Sequence, residues 1–208
     1  MQYIIMCGGR LNDRGAPKQL QTIKGEPIIA RTIRLLTENG ISLNDIAISS
    51  IYPDFDRFGV PVFKHHNTFV YGGRWLEAFY PTKKPVCYLC GDVVFSPEAI
   101  KTIVETQTDS IEYFATAPPF SDKYIKTWAE PLAYKVADVK LFKACIEVTN
   151  HYADIGRFRR EPIAWELWQV IKGTPLNQID YTNYTVINDY SCDADCQEQL
   201  EKIGEYIK

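Results

Sequence analysis

The sequence predicts a three-layer α/β/α fold with a mostly parallel mixed sheet. Three observations carry this. Strand-length apolar runs alternate with apolar-periodic helical segments through the first half of the chain. Glycine and proline punctuate the boundaries between them. Two runs, Tyr3–Cys7 and Val86–Cys90, are almost continuously apolar, as parallel strands covered on both faces are.

The elements follow in order. Tyr3–Cys7 is a strand that ends at Gly8-Gly9, and a polar loop runs from there to Pro17-Lys18. Gly25 and Pro27 break the chain again before a helix with an apolar stripe of Ile28, Ile29, Thr32, Leu35 and Leu36, which Asn39-Gly40 closes. Asp45–Ile51 reads as the second strand, and Gly59–Phe63 as a peripheral one because Pro61 cannot donate to a ladder. A short helix is expected over Gly73–Phe79, then the strand Val86–Cys90. Ser96-Pro97-Glu98 starts a helix, with serine as cap and proline at the first helical position. Strands at Ile111–Thr116 and Leu132–Val136, helices at Asp138–Asn150 and 162–172, a strand at Tyr184–Ile187 and a closing helix at Asp195–Ile207 complete the chain. Leu176–Asp180 is either a short strand or a loop.

The chain has 208 residues, 46% of them apolar, enough for one sizeable core, and a single domain over residues 1–208 is expected. No run is long and apolar enough to cross a bilayer, and no signal-peptide pattern opens the chain, so a cytoplasmic protein without a membrane partner is expected. The net charge is −3, which gives no broad basic footprint for nucleic acid. Residues 1–40 depart from that balance, with six Lys or Arg against three acids. A local cationic excess beside a double glycine favours a phosphorylated ligand at this end. The six cysteines, at 7, 87, 90, 145, 192 and 196, lack the spacing of a zinc site and read as reduced thiols, with Cys192 and Cys196 one turn apart on any helix that includes both.

The loop after the first strand is neither a P-loop nor G-x-G-x-x-G. Gly8, Gly9 and Gly15 with Arg10, Arg14 and Lys18 suit a cradle in which main-chain amides approach phosphates and long cations reach around them. Lys18 is the strongest of these, because Pro17 restricts the backbone before it; Lys24 is either a second phosphate contact or a solvated charge. Asp92, just past a central strand with Gly91, is placed either to hold a hard divalent ion or to cap a turn. Its partner is expected at the end of another strand. Asn188 and Asp189 are the candidates, with Asp193 and Asp195 as further options better read as a helix start. Arg157, Arg160 and Trp165 concentrate charge and aromatic surface that could take an acceptor phosphate and a cation or sugar ring, although Trp165 and Trp168 at a spacing of three also fit a buried helix stripe. Lys123, Lys126 and Trp128 form a weaker patch of the same kind.

M-C-G-G-R…R-G-A-P-K-Q-L, Y-L-C-G-D-V-V-F-S-P-E-A-I and T-V-I-N-D-Y together resemble the signature of NTP-transferase type nucleotidyltransferases, both the sugar-phosphate enzymes and the small cytidylyltransferases. The resemblance runs in order along most of the chain, apart from roughly 118–180. It implies a Rossmann-like sheet of the GT-A/nucleotide-diphosphosugar transferase type, a nucleotide-binding half over about 1–116 and an acceptor-binding half over about 117–208. It implies transfer of a nucleoside monophosphate from an NTP, with CTP favoured, to a phosphorylated small molecule, with Mg²⁺ as cofactor and pyrophosphate released. By the resemblance, Cys7, Gly8, Gly9, Arg10, Arg14, Lys18 and Gly91 surround the triphosphate. Asn67, Thr68, Gly72 and Gly73 lie where the base is read, and Asp92 with Asn188 or Asp189 holds the metal. The sequence departs from the signature at Leu11, where the family has a glycine, and at Asp13, where it has its arginine. Two other readings stand beside this one. A GT-A-like glycosyltransferase would need a D-x-D, which Asp92-Val93-Val94 lacks. A nucleotide-binding regulatory protein without turnover would fit the altered loop. A monomer or a homodimer fits either half of the argument equally.

Overall fold

The computed structural model describes all residues except 10, 13–14, 66–72, 118–128, 178–180 and 208. Seven strands form the main sheet: β1 (Gln2–Met6), β4 (Ile46–Ser49), β5 (Val62–Phe63), β6 (Val86–Cys90), β8 (Ile111–Ala115), β9 (Pro131–Val136) and β10 (Thr185–Val186). Their order is β10-β8-β9-β6-β1-β4-β5. Neighbouring strands run parallel except around β9, which is antiparallel to both β6 and β8. β5 is an edge strand, as Pro61 requires.

Alternation along the strands builds one core on each face. On one face Ile5, Cys7, Cys87 and Leu89 pack with Ile29, Ile33 and Leu36 of α1 (Ile28–Glu38) and with Ile100 and Ile103 of α2 (Pro97–Glu105). On the other, Ile4, Tyr88, Tyr113 and Tyr134 meet Phe142 of α3 (Val139–Asp154) and Trp165 and Trp168 of α4 (Ala164–Lys172). The sequence-based helix starts hold where a cap is local: Ser96 Oγ accepts from Ala99 N (2.8 Å) and Asp138 Oδ1 from Leu141 N (2.9 Å). They miss ends that tertiary contacts set. α3 runs four residues past Asn150, because Arg74 donates to the Asn150 carbonyl (3.0 Å) and pairs with Asp154. The helix expected over 73–79 is a 3-10 turn, Trp75–Ala78.

Two small sheets escaped the sequence reading. β2 (Thr22–Ile23) and β3 (Glu26–Pro27) form a hairpin around Lys24-Gly25, whose φ values of 48° and 82° give the doubly left-handed turn that hairpins favour. β7 (Val93–Val94) pairs antiparallel with β11 (Cys192–Asp193). Both join a third apolar cluster with α5 (Gln197–Tyr206), through Ile23, Ile28, Val94, Cys192, Ala194, Leu200 and Ile203. Cys192 therefore lies on a strand, Cys196 precedes α5, and neither forms a disulfide. Lys24 reaches the carbonyl of Ile207 at the end of α5, where a cation satisfies an orphan acceptor, so its ammonium ties the hairpin to the closing helix.

Gly91 sits where β1 and β6 leave the sheet side by side. Its amide donates to Met6 O (3.1 Å), and a Cβ there would overlap that carbonyl and stand 2.8 Å from Cys7 Sγ. Gly91→Ala is expected to destabilise the fold by about 1–3 kcal/mol, because backbone cannot yield as a side-chain tip can. Gly9→Ala, whose Cβ would lie 4.0 Å from Gln19 Nε2, is expected to leave stability almost unchanged. Urea unfolding of both variants at one pH checks the contrast.

Candidate active site

Parallel strands deliver their carboxyl ends to one edge of a sheet, and ligands bind there. Met6 and Cys90 are register partners, so the Gly8-Gly9 turn and Gly91-Asp92 emerge next to each other. Ser49 ends β4 beside Met6, and His65 follows β5 at the same edge. These residues, with Gln19, Trp75 and Ala78, line an open cleft of about 480 Å³.

The cleft floor is fixed by backbone ties. Cys7 N donates to Ser49 O (2.9 Å), and Ser50 Oγ donates to Cys7 O (3.0 Å). Tyr52 Oη donates to Gly9 O (3.3 Å). Beyond the glycines the loop folds back on itself: Asn12 N donates to Ala16 O (2.7 Å), Gly15 N to Asn12 O (2.9 Å) and Ala16 N to Asn12 Oδ1 (3.0 Å). Pro17 then enters a 3-10 turn, Lys18–Leu20, that buries Gln19 and aims Lys18 at the far segment. Lys18 Nζ stands 2.5 Å from Asp195 Oδ1. Partial burial pulls its pKa down, but the bond and charge of Asp195, with Asp92 and Asp193 behind it, raise it overall.

The carboxylate opposite that lysine has company the sequence did not reveal. β11 lies against β7, Asp193 faces Val93 in register, and Ala194 N donates to Asp92 O (3.2 Å). Burial, then the charge of Asp193, push the Asp92 carboxyl up to about 6, and Lys18 offsets part of this. The buried Cys7 thiol beside it is raised too, by burial first and then by Asp92.

The sequence-predicted site residues fall into four groups. Gly8, Gly9 and Asp92 line the cleft, and Lys18 lies outside that lining, bonded to Asp195 and near enough to Asp92 to feel its charge. Arg10, Arg14, Asn67, Thr68 and Gly72 lie outside the described residues, as do Lys123, Lys126 and Trp128, and Gly73 stands at the boundary of that gap. Cys7 and Gly91 are constrained by packing: the thiol is a core side chain with no exposed surface, and the glycine admits the neighbouring strand. The last group is displaced. Asn188 and Asp189 follow β10, which β8 and β9 separate from β6 in the sheet. Both Asp189 oxygens are spoken for, accepting from Ser191 N (2.7 Å) and Ser96 Oγ (2.5 Å), so this aspartate ties the last crossing of the chain to the start of α2. Asp193, which the sequence reads as part of a helix start, lies instead on β11 opposite Val93 and beside Asp92.

Trp165 also needs correction. Its indole is 3% exposed and meets Tyr113, Tyr184 and Tyr181 edge-on, so its face is core and cannot hold a ligand. Arg160 Nε bonds Glu166 Oε1 (2.7 Å), whose other oxygen accepts from Ile163 N (3.0 Å) and starts α4. Arg157 is exposed just past α3. Gln19, Ser49, His65 and Trp75 were missed as cleft residues. Ser49 was findable, as the end of a predicted central strand; the others depend on how the turns pack.

A divalent cation at Asp92 fits this donor set in one respect. Two partly buried carboxylates repel each other there, and a cation would relieve that repulsion. Among the described residues no group of three His, Cys, Asp or Glu side chains is arranged to hold a metal by itself.

No protein-family model matches the chain, and no curated protein matches it in sequence. Solved structures do. CTP:phosphocholine cytidylyltransferase from Streptococcus pneumoniae aligns over 100% of this chain and 99% of its own, with a TM-score of 0.62 and 17% identity. The 4-diphosphocytidyl-2C-methyl-D-erythritol synthase from Anaerococcus prevotii aligns over 99% and 95%, at 0.58 and 15%. The inositol-1-phosphate CTP transferase from T. maritima aligns over 100% and 97%, at 0.56 and 15%. The class this establishes is one of fold: the chain has the Rossmann-like α/β architecture of these nucleotidyltransferases.

The two late aspartates are separable by experiment. Asp189→Ala is expected to lower stability by about 1–3 kcal/mol by stranding Ser96 and the Ser191 amide. Asp193→Asn is expected to preserve stability. Asp92 has a folded pKa raised above its unfolded value, so the stability tied to its neutral form is present below about pH 4 and lost as pH rises through about 6. Removing the Asp193 charge is expected to shift that loss to lower pH, read from urea midpoints and from the Asp92 carboxyl ¹³C titration in metal-free protein.

Proposed function

We propose that the protein is a nucleotidyltransferase that moves a nucleoside monophosphate, cytidylate by preference, from an NTP to a phosphorylated small molecule and releases pyrophosphate. The observation that carries this reading is the meeting of the Gly8-Gly9 turn and Asp92 in one cleft at the carboxyl edge of the sheet, with Lys18 near enough to feel the Asp92 charge. The names of the three neighbours described above each specify a cytidylyl transfer, which supports CTP as the nucleotide.

In this reading the triphosphate lies along the Gly8-Gly9 turn, with the base toward Ser49, His65 and Trp75 and the phosphates toward Lys18. Arg10 and Arg14 would add their charges to the same phosphates, and Asn67, Thr68, Gly72 and Gly73 would contact the base. Asp92 and Asp193, with Asp195 beside them, would hold Mg²⁺. When bound, that ion neutralises the phosphate oxygens and so lets one anion approach another. An oxygen of the acceptor phosphate forms a bond to the α-phosphorus while the bond from that phosphorus to the β-bridging oxygen breaks. Pyrophosphate leaves with the electron pair, and Lys18 stabilises the charge it develops. The acceptor phosphate is already anionic, so the chain needs no general base; its contribution is placement. Arg74 ties the last turn of α3 to the turn bearing Trp75; in this reading the exposed Arg157 and Arg160, which follow that helix, would take the acceptor phosphate. Nucleotide contacts fall mainly within about 1–116 and acceptor contacts within about 117–208, as one catalytic domain.

Pyrophosphate release measured with each NTP, Mg²⁺ and a panel of phosphorylated alcohols and sugars tests this. Release is expected with CTP and one acceptor class. Asp92→Ala and Lys18→Ala are each expected to reduce kcat/KM by about 10²-fold or more. Tight CTP binding without release for any acceptor would instead identify a binding protein, and wild-type turnover in either variant would remove these residues from the mechanism.

A further inference from the structure

A second cavity lies behind the turn that carries Trp75. It measures about 1180 Å³, against about 480 Å³ for the cleft, and opens between the segment 76–83 and the first half of α3. Three buried rings line it, Phe79, Tyr88 of β6 and Phe142 of α3, with centroids 5.0 to 5.9 Å apart. Leu76, Tyr80 and Ile146 extend the apolar surface. Two exposed lysines, Lys83 and Lys143, belong to the same lining, against one acid, Glu77. Lys143 stands 3.8 Å from Glu147, but both groups are mostly in water, so the ammonium stays available to another anion. A packing defect in a core is small and closed. A large apolar cavity that opens to solvent and carries a few charges has the make-up of a ligand site. The proposed transfer does not use it.

We propose that this cavity binds a small organic anion with an aromatic body, and that its occupant tightens nucleotide binding by bracing the wall the two sites share. The site stands on its own geometry; its effect on the cleft rests on the nucleotidyltransferase reading. The aromatic lining offers ring faces and edges to a flat apolar body. The two lysines outnumber the one acid, so an acidic group is favoured over a neutral or basic one. The shared wall is the 3-10 turn Trp75–Ala78 with Phe79 after it. Residues three apart in such a turn share a face. Trp75 and Ala78 accordingly line the cleft, and Leu76 and Phe79 line the cavity. His65 lines both, and its Nε2 donates to Glu77 O (2.7 Å), tying the turn to the segment after β5. An occupant packed on Leu76 and Phe79 holds the turn from behind and so fixes Trp75 and Ala78 in front. Linkage makes the effect mutual: nucleotide tightens the anion by the same factor.

Three probes with one two-ring body separate the terms: naphthoate, naphthalenemethanol and naphthylmethylamine. Each is titrated into nucleotide-free protein, and the methyl resonances of Leu76, Val139 and Ile146 are followed by NMR. Naphthoate is expected to shift them at lower concentration than the alcohol, and the amine to bind most weakly. Lys83→Met combined with Lys143→Met is expected to weaken naphthoate by about fivefold and leave the alcohol unchanged. Ile146→Trp fills the cavity from α3 and is expected to abolish binding of all three. Lys101→Met, on the exposed face of α2, is expected to match wild type. Calorimetry with CTP gives the second readout: saturating naphthoate is expected to tighten CTP by about fivefold in wild type and to have no effect in Ile146→Trp. Equal binding of the three probes overturns the proposal. So do cavity methyls that do not move, naphthoate binding that survives both sets of cavity substitutions, and CTP affinity that naphthoate leaves unchanged or weakens. Failure of wild type to bind any NTP, with or without naphthoate, would remove the nucleotidyltransferase reading and the bracing with it, while the methyl titration would still decide the site.

Discussion

The site depends on an apolar cluster that contains none of its chemistry. Ile23 and Ile28 from the opening segment, Val94 after the central strand, and Cys192, Ala194, Leu200 and Ile203 from the end of the chain pack together. Leu200, Ile203 and Ile207 recur at the spacing of one helix face, so α5 can bury only against that cluster. Each buried aliphatic side chain contributes about 1.5–3 kcal/mol. The Lys18–Asp195 pair, with both partners partly in water, contributes about 0–1 kcal/mol. Burial therefore decides where residues 193–195 lie, and the ion pair forms because it has been brought there.

The rest follows from strand direction. β1, β4, β5 and β6 are mutually parallel, and their ends supply Gly8, Ser49, His65 and Asp92 to one edge. Only a glycine at 91 lets two of these strands leave the sheet in contact. The second face is spent on aromatic packing, in which Tyr113 and Tyr134 stack and Trp165 and Trp168 close over them. That face rigidifies the sheet without entering the cleft, and the tryptophans it consumes are unavailable as ligand platforms.

Much of the fold was legible because its signals are local. The double glycine, the unbroken strand Val86–Cys90, the Ser96-Pro97 helix start and the stripe of α1 each carry their structure within a few residues. The hairpin around Lys24-Gly25 went unread because its strands are only two residues long, too short for a periodic signal. Asp193 and Asp195 were set aside as a helix start because a carboxylate before an amphipathic run usually is one. Asn188 and Asp189 were preferred because they directly follow the strand Tyr184–Ile187, and Asp189 over Asn188 because it carries charge. β8 and β9 separate β10 from β6, and no local pattern states how far apart in a sheet two strand ends will be.

The sequence by itself determined the class of fold and put the Gly8-Gly9 turn and Asp92 at strand ends, since each is written in residues adjacent along the chain. Only the tertiary structure decided which carboxylates face Asp92, which tryptophans are core, and that Lys18 already has a partner. Those are relations between distant segments, the Lys18–Asp195 pair being 177 residues apart along the chain. They are set by which apolar faces find each other, and that depends on the whole chain at once.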